Sequence, residues 1–142
     1  MNKVFEHSHR ISYAECTLGN HVYYARYLDI IEESRGEFFR HIGEPLLKCQ
    51  ELEILFPVSE VQIKYKSAAR YDDLLEISVK LLQLTRVRLQ FQYEIQRANS
   101  LLVEATVSHV CTDLNEKPKR MPVELAEALQ RFAPVKENPW SE

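Results

Sequence analysis

The sequence predicts an α+β fold, one antiparallel sheet wrapped around one long central helix, and three observations predict it. Apolar residues recur at three- and four-residue steps from about His21 to Ile42, the period of an amphipathic helix. After Pro57 the period drops to two over four separate stretches, the pattern of strands that bury one face. The chain has 142 residues, 45% of them hydrophobic and 27% charged, enough for one ordinary domain with a real core. A helix with one apolar stripe and a sheet with one apolar face must cover each other. A sheet that curls round the helix does so.

Taken in order, Phe5 to Tyr13 reads as a first strand, and Glu15 to Asn20 as a loop of small and polar residues. In the helix, Tyr24, Tyr27, Leu28, Ile31, Phe38 and Ile42 form the stripe, while Asp29, Glu32, Glu33, Glu37 and Arg40 fall between them. Asn20 is the expected N-cap and Gly43 the expected stop. Acids early and Arg40 and His41 late suit the helix dipole. Val61, Ile63 and Tyr65 mark the next strand, and Ile77, Val79 and Leu81 the one after it. A phase slip at Leu81-Leu82 predicts a bulge there. Val87 to Ile95 alternates most cleanly, and Val103, Ala105, Val107, His109 and Cys111 form one face of the last strand. Pro122 to Phe132 reads as a short helix with Pro in its first turn. The whole chain, 1–142, is expected to be one domain, with 136–142 as a tail. A half-wrapped sheet leaves its edges available, so self-association into a homodimer is expected, with pairing of dimers into a tetramer left open.

Composition narrows the partners. A net charge of −3 and a pI near 6.0 give no global cationic field, so nucleic acid and anionic membrane are not expected partners. No apolar run reaches membrane-spanning length, and Met1 to Arg10 lacks the apolar core of a signal peptide. Cys16, Cys49 and Cys111 are widely spaced and odd in number, which fits reduced thiols in a cytoplasmic protein. His7, His9, His41 and His109 show no metal-ligand spacing, so no metal is assigned. No Walker loop, dinucleotide glycine pattern or GxSxG elbow occurs, and no cofactor is expected.

Three segments carry a family resemblance. Ile11-Ser12-Tyr13-Ala14-Glu15-Cys16-Thr17-Leu18-Gly19-Asn20-His21-Val22-Tyr23-Tyr24-Ala25-Arg26-Tyr27-Leu28, followed by Ile31-Glu32-Glu33-Ser34-Arg35, resembles the signature of hotdog-fold acyl-CoA thioesterases of the 4-hydroxybenzoyl-CoA type. Lys64 to Leu74, with its Ala69-Arg70-Tyr71-Asp72-Asp73 run, resembles that family's strand and following loop. Thr106 to Asp113, with Lys117-Pro118 and Met121-Pro122, resembles its last strand and exit. The resemblance implies a hotdog fold, at least dimeric, that cleaves an acyl-CoA or acyl carrier protein thioester with water. It also implies an active site at the N-terminus of the long helix, near a subunit boundary.

There the unpaired amides near Val22 to Tyr24 are the expected donors to the oxyanion formed when water attacks the thioester. The family usually places an aspartate where this chain has Thr17, and a glycine where it has Asn20. His21-Val22 falls on the histidine of plant-type acyl carrier protein thioesterases, so His21 is the candidate general base. An imidazole at a helix N-terminus is biased toward the neutral form that accepts a proton. Thr17, His21 and Tyr24 are thus the catalytic candidates. Asn20, Val22, Tyr23, Tyr27, Arg70, Asp72 and Asp73 are the substrate-binding candidates. A non-catalytic acyl-CoA-binding protein is the competing expectation, since the usual aspartate is missing.

Overall fold

The computed structural model describes residues 3–134, so the expected tail lies outside the described residues. The elements run β1 (Val4–Arg10), a 3-10 turn (Tyr13–Glu15), β2 (Cys16–Thr17), β3 (His21–Val22), α1 (Arg26–His41) and α2 (Leu46–Glu51). They continue with β4 (Val58–Tyr65), β5 (Leu74–Leu84), β6 (Arg88–Arg97), β7 (Ser100–Val110) and α3 (Val123–Gln130). Five strands form one antiparallel sheet in the order β1-β5-β6-β7-β4, and β2 and β3 form a separate small ladder.

The long helix lies against one face of the sheet. Tyr27, Ile30, Ile31, Ser34, Arg35, Phe38 and Phe39 are its buried residues. The inward residues of β5 and β6, Leu75, Ile77, Val79, Leu81, Leu89, Phe91, Tyr93 and Ile95, are buried beneath it. Phe91 holds the contact together: its ring centroid lies 5.5 Å from Phe38, 6.3 Å from Phe39, 6.0 Å from Tyr93 and 6.0 Å from His109. The bulge expected at Leu81-Leu82 is present, as the register passes from Leu81↔Phe91 to Gln83↔Gln90. It adds twist where the sheet must curve.

Several elements differ from expectation for local reasons. The first strand ends at Arg10 rather than Tyr13, because Tyr13–Glu15 closes a 3-10 turn in which the Glu15 side chain accepts from the Ser12 amide at 2.8 Å. The helix starts at Arg26 rather than His21. Gly19 (φ +81°) and Asn20 (φ +60°) are both left-handed, a conformation that reverses the chain into a hairpin instead of opening a helix. Asn20 is therefore no N-cap; its Oδ1 accepts from the Tyr71 amide at 3.1 Å. Leu28, expected in the stripe, is exposed, and Ile30 and Phe39 take the buried places. Gly43, at φ +80°, follows the helix as expected of a stop. Pro122 is the N-cap of α3 rather than a first-turn residue. The single turn-and-a-half of α2 was not expected, being too short for a period to show.

His109, on the apolar face of β7, is buried and its Nδ1 lies 3.0 Å from the Phe56 carbonyl. Burial, with the positive charge of Arg35, holds its pKa below 6.5. Cys49 and Cys111 are buried thiols, each pushed up to about 11 chiefly by desolvation. Truncating Phe91 to Ala should cost about 3–5 kcal/mol, read as a lower urea midpoint with an unchanged m-value; a loss below about 1 kcal/mol would contradict its central place in the core.

Candidate active site

The site is built on the β2–β3 hairpin. Thr17 and His21 are direct cross-strand partners, as are Cys16 and Val22. Facing residues of an antiparallel pair point to the same side with Cβ atoms about 4.5–5.5 Å apart, so the Thr17 hydroxyl and the His21 ring share one face. The segment after β4 adds to the other edge of β3. The Val22 amide donates to the Ala69 carbonyl at 3.0 Å, and the Tyr71 amide donates to Asn20 Oδ1. Arg70 Nη1 reaches the Gly19 carbonyl at 3.4 Å. Val22 and Ala69 are buried and pin this small assembly to the core, while Thr17, His21 and Arg70 remain exposed.

Two cavities flank the hairpin. One, of about 500 Å³, is lined by Tyr13, Cys16, Thr17, Leu18, Gly19, Asn20 and Tyr71. Its rim is apolar and open: Leu18 is 95% exposed and Tyr13 82%, and the Tyr13 and Tyr71 rings meet edge-on at 6.0 Å. The other, of about 310 Å³, is lined by His21, Val22, Tyr24, Tyr27, Tyr65, Lys66, Ser67 and Ala68. Its tyrosines meet in series, Tyr24–Tyr65 edge-on at 6.4 Å and Tyr27–Tyr65 edge-on at 5.6 Å, with Tyr23 tilted against Tyr24 at 4.8 Å. A hydrogen bond with Tyr24 raises the Tyr23 phenol above its usual 10.0.

The candidates are thus only partly gathered. Thr17 and Asn20 line the first cavity, His21, Val22, Tyr24 and Tyr27 the second, and the Tyr23 ring lies tilted against Tyr24. Asp72 and Asp73 line neither. Asp72 occupies a turn at φ +69°. Asp73 is committed to Arg97 at 2.7 Å and to the Arg70 amide at 2.8 Å. Burial works against its charge, but these partners hold its pKa below 3.8.

Two of the three expected oxyanion donors are already engaged. The Val22 amide is used by Ala69 and the Tyr23 amide donates to the Glu15 carbonyl at 3.0 Å. Arg26 donates to Tyr23 and Leu28 to Ala25. Between Val22 and Ala25, the amides of Tyr24 and Ala25 have no such backbone partner. The helix dipole likewise begins at Arg26 and not at His21.

Sequence reasoning missed Tyr13, Leu18, Tyr65, Ser67 and Tyr71 as cavity walls, because only the hairpin and the return of the chain at 67–71 bring them together. It also missed a network of His9, Glu15 and Glu33 beneath the 3-10 turn. The signal available was His7 and His9 on one face of a strand with period two.

With this geometry in view, residues 12–129 match the model of the thioesterase-like superfamily. The chain belongs to this superfamily. Its relatives include the acyl-CoA thioesterase YbgC of Haemophilus influenzae, 32% identical over 127 residues that span 87% of this chain and 92% of the relative. The acyl-CoA thioester hydrolase YbgC of Escherichia coli is 34% identical over 115 residues, 80% of this chain and 86% of the relative. A solved probable thioesterase of Bartonella henselae superposes with a TM-score of 0.80 at 28% identity, over 84% of this chain and 100% of its own. The superfamily's sheet-around-helix architecture is the hotdog fold expected above.

One side chain of the site has a measurable structural duty. Tyr27 is buried and its phenol oxygen accepts from the Ala69 amide at 2.9 Å. Tyr27→Phe leaves that buried amide unpaired and should cost about 1–3 kcal/mol. Tyr24→Phe, on an exposed ring, should leave the denaturation midpoint nearly unmoved. Equal midpoints for the two variants would contradict this division.

Proposed function

We propose that the protein hydrolyses acyl-CoA thioesters to a free acid and CoA, with His21 as general base. The observation that carries the mechanism is the β2–β3 register, which pairs His21 with Thr17, the position of the family's usual aspartate. The relatives named acyl-CoA thioesterase and thioester hydrolase support the reaction class.

In this mechanism the neutral His21 imidazole takes a proton from water as its oxygen bonds to the thioester carbon. The carbonyl oxygen becomes an oxyanion stabilised by the Tyr24 and Ala25 amides at the start of α1. Collapse breaks the carbon–sulfur bond, and the proton held on His21 passes to the departing CoA thiolate. The Thr17 hydroxyl orients the water or the imidazole on their shared face. The acyl group lies among Tyr24, Tyr27 and Tyr65, with Tyr23 behind Tyr24. Arg70 and Lys66, both exposed, supply charge for the CoA phosphates. No metal or other cofactor is needed for these steps.

The whole chain acts as one catalytic domain, cytoplasmic and homo-oligomeric. Support for self-association comes from β4, an edge strand with exposed Val58, Val61 and Tyr65, next to the exposed Tyr24. Among the described residues no helix is long and apolar enough to cross a membrane.

The experiment is thiol release across short, long and aromatic acyl-CoAs. Wild type should release CoA from at least one. His21→Gln, with an unchanged circular dichroism spectrum, should lose about 10²–10⁴-fold in kcat. A folded His21→Gln variant with near-normal turnover would refute the base. CoA binding without release from any substrate would favour the binding protein instead.

A further inference from the structure

His9 sits beneath the catalytic hairpin with both ring nitrogens against carboxylates. Nδ1 lies 2.9 Å from Glu33 Oε2, while Nε2 lies 2.9 Å from Glu15 Oε2 and 3.0 Å from Glu15 Oε1. An ionised carboxylate only accepts, and a neutral imidazole has one N–H and one bare lone pair. Both contacts are hydrogen bonds only when His9 carries both protons. Removing one sets a lone pair against an anionic oxygen, and one carboxylate must then swing away.

One of these two carboxylates, Glu15, controls the hairpin. Glu15 Oε1 accepts from the Ser12 amide at 2.8 Å and the Ser12 hydroxyl at 3.1 Å, closing the 3-10 turn. The Glu15 carbonyl takes the Tyr23 amide at 3.0 Å. Glu15 thus stands at the open end of the hairpin, one residue before β2. Glu33 anchors the other side to α1 and also meets His7 Nε2 at 2.7 Å.

Three elements present titratable groups to His9. The 3-10 turn presents Glu15, α1 presents Glu33, and β1 itself presents His7 on the same face. From β5 its cross-strand partner is Leu75, and Glu76 pairs with Ser8 on the opposite face. Arg10 also lies on that opposite face, with Nη1 at 2.7 Å from the Asp72 carbonyl. Burial pulls the His9 pKa down, but Glu15 and Glu33 outweigh it and hold it above 6.5. Burial raises Glu33, but His7 and His9 outweigh it and hold it below 4.5.

We propose that doubly protonated His9 is a positioning residue, which through Glu15 locks the base of the hairpin carrying Thr17 and His21 and releases it on losing its proton. The inference rests on the hydrolytic role above for its kinetic consequence, but not for its structural one. The sign of the stability effect follows from the two shifts. A raised His9 stabilises fully below pH 6.5 and loses that contribution as pH rises through its folded value. A lowered Glu33 stabilises above pH 4.5 and loses that contribution as pH falls through its folded value. The clamp is therefore complete between about pH 4.5 and 6.5.

The test uses the full chain, with His9→Gln and Glu33→Gln. Amide NMR from pH 5.5 to 8.5 should show the Ser12 and Glu15 signals following the His9 ring in wild type. In His9→Gln that transition should vanish, and in Glu33→Gln it should move about one unit lower. In thioester hydrolysis, His9→Gln should lower kcat about tenfold with KM within about twofold, and its alkaline fall in kcat should be absent. Glu33→Gln, which keeps the ring in place, should shift that fall to lower pH. The wild-type Tm advantage over His9→Gln should be largest between pH 4.5 and 6.5. Ser12 and Glu15 signals that ignore the His9 titration would overturn the proposal, as would a wild-type pH profile in His9→Gln. If wild type cleaves no thioester, the hydrolytic role fails while the amide titration still decides the clamp.

Discussion

The structure depends on the burial of one helix stripe in the hollow of one curled sheet. Tyr27, Ile31, Phe38 and Phe39 leave water only because β5, β6 and β7 bend far enough to meet them. The bend is helped by the irregular register between Leu81 and Gln83. Burial of these side chains is worth about 1.5–3 kcal/mol each. The position of α1 follows from it, and so does the place where the chain entering α1 must cross the rim of the sheet. That crossing is the β2–β3 hairpin.

The hairpin is small, but it has no freedom to drift. It is bonded on one edge to itself through Thr17 and His21, and on the other to Ala69 and Tyr71. Beneath it, Val22 is buried and Tyr27 holds the Ala69 amide. Side chains carried on such an element keep their mutual geometry although they are exposed. The charged network under the 3-10 turn supplies the remaining restraint from the side that the core cannot reach.

The large elements were legible because their periods extend over many residues. Val87 to Ile95 and the stripe through Ile31 and Phe38 repeat often enough that no local detail can hide them. The start of the helix was not legible. Tyr24 continues the helical spacing, yet Gly19 and Asn20 take left-handed backbone and turn the chain back. Two adjacent residues with positive φ outweigh a weak propensity, and a single sequence does not display φ. The cavity walls at Tyr65, Ser67 and Tyr71 were hidden for another reason. They are some fifty residues away from the hairpin, and pairing between β3 and an irregular segment leaves no periodic trace.

The three thiols divide sharply by environment. Cys49 and Cys111 are enclosed and held protonated, whereas Cys16 is only partly covered and forms part of the wall of the larger cavity. A thiol-alkylating reagent added to the folded chain therefore meets one accessible cysteine, seated beside Thr17. The rate at which that sulfur is capped becomes a gauge of whether the neighbouring hollow is occupied, with no engineered label required.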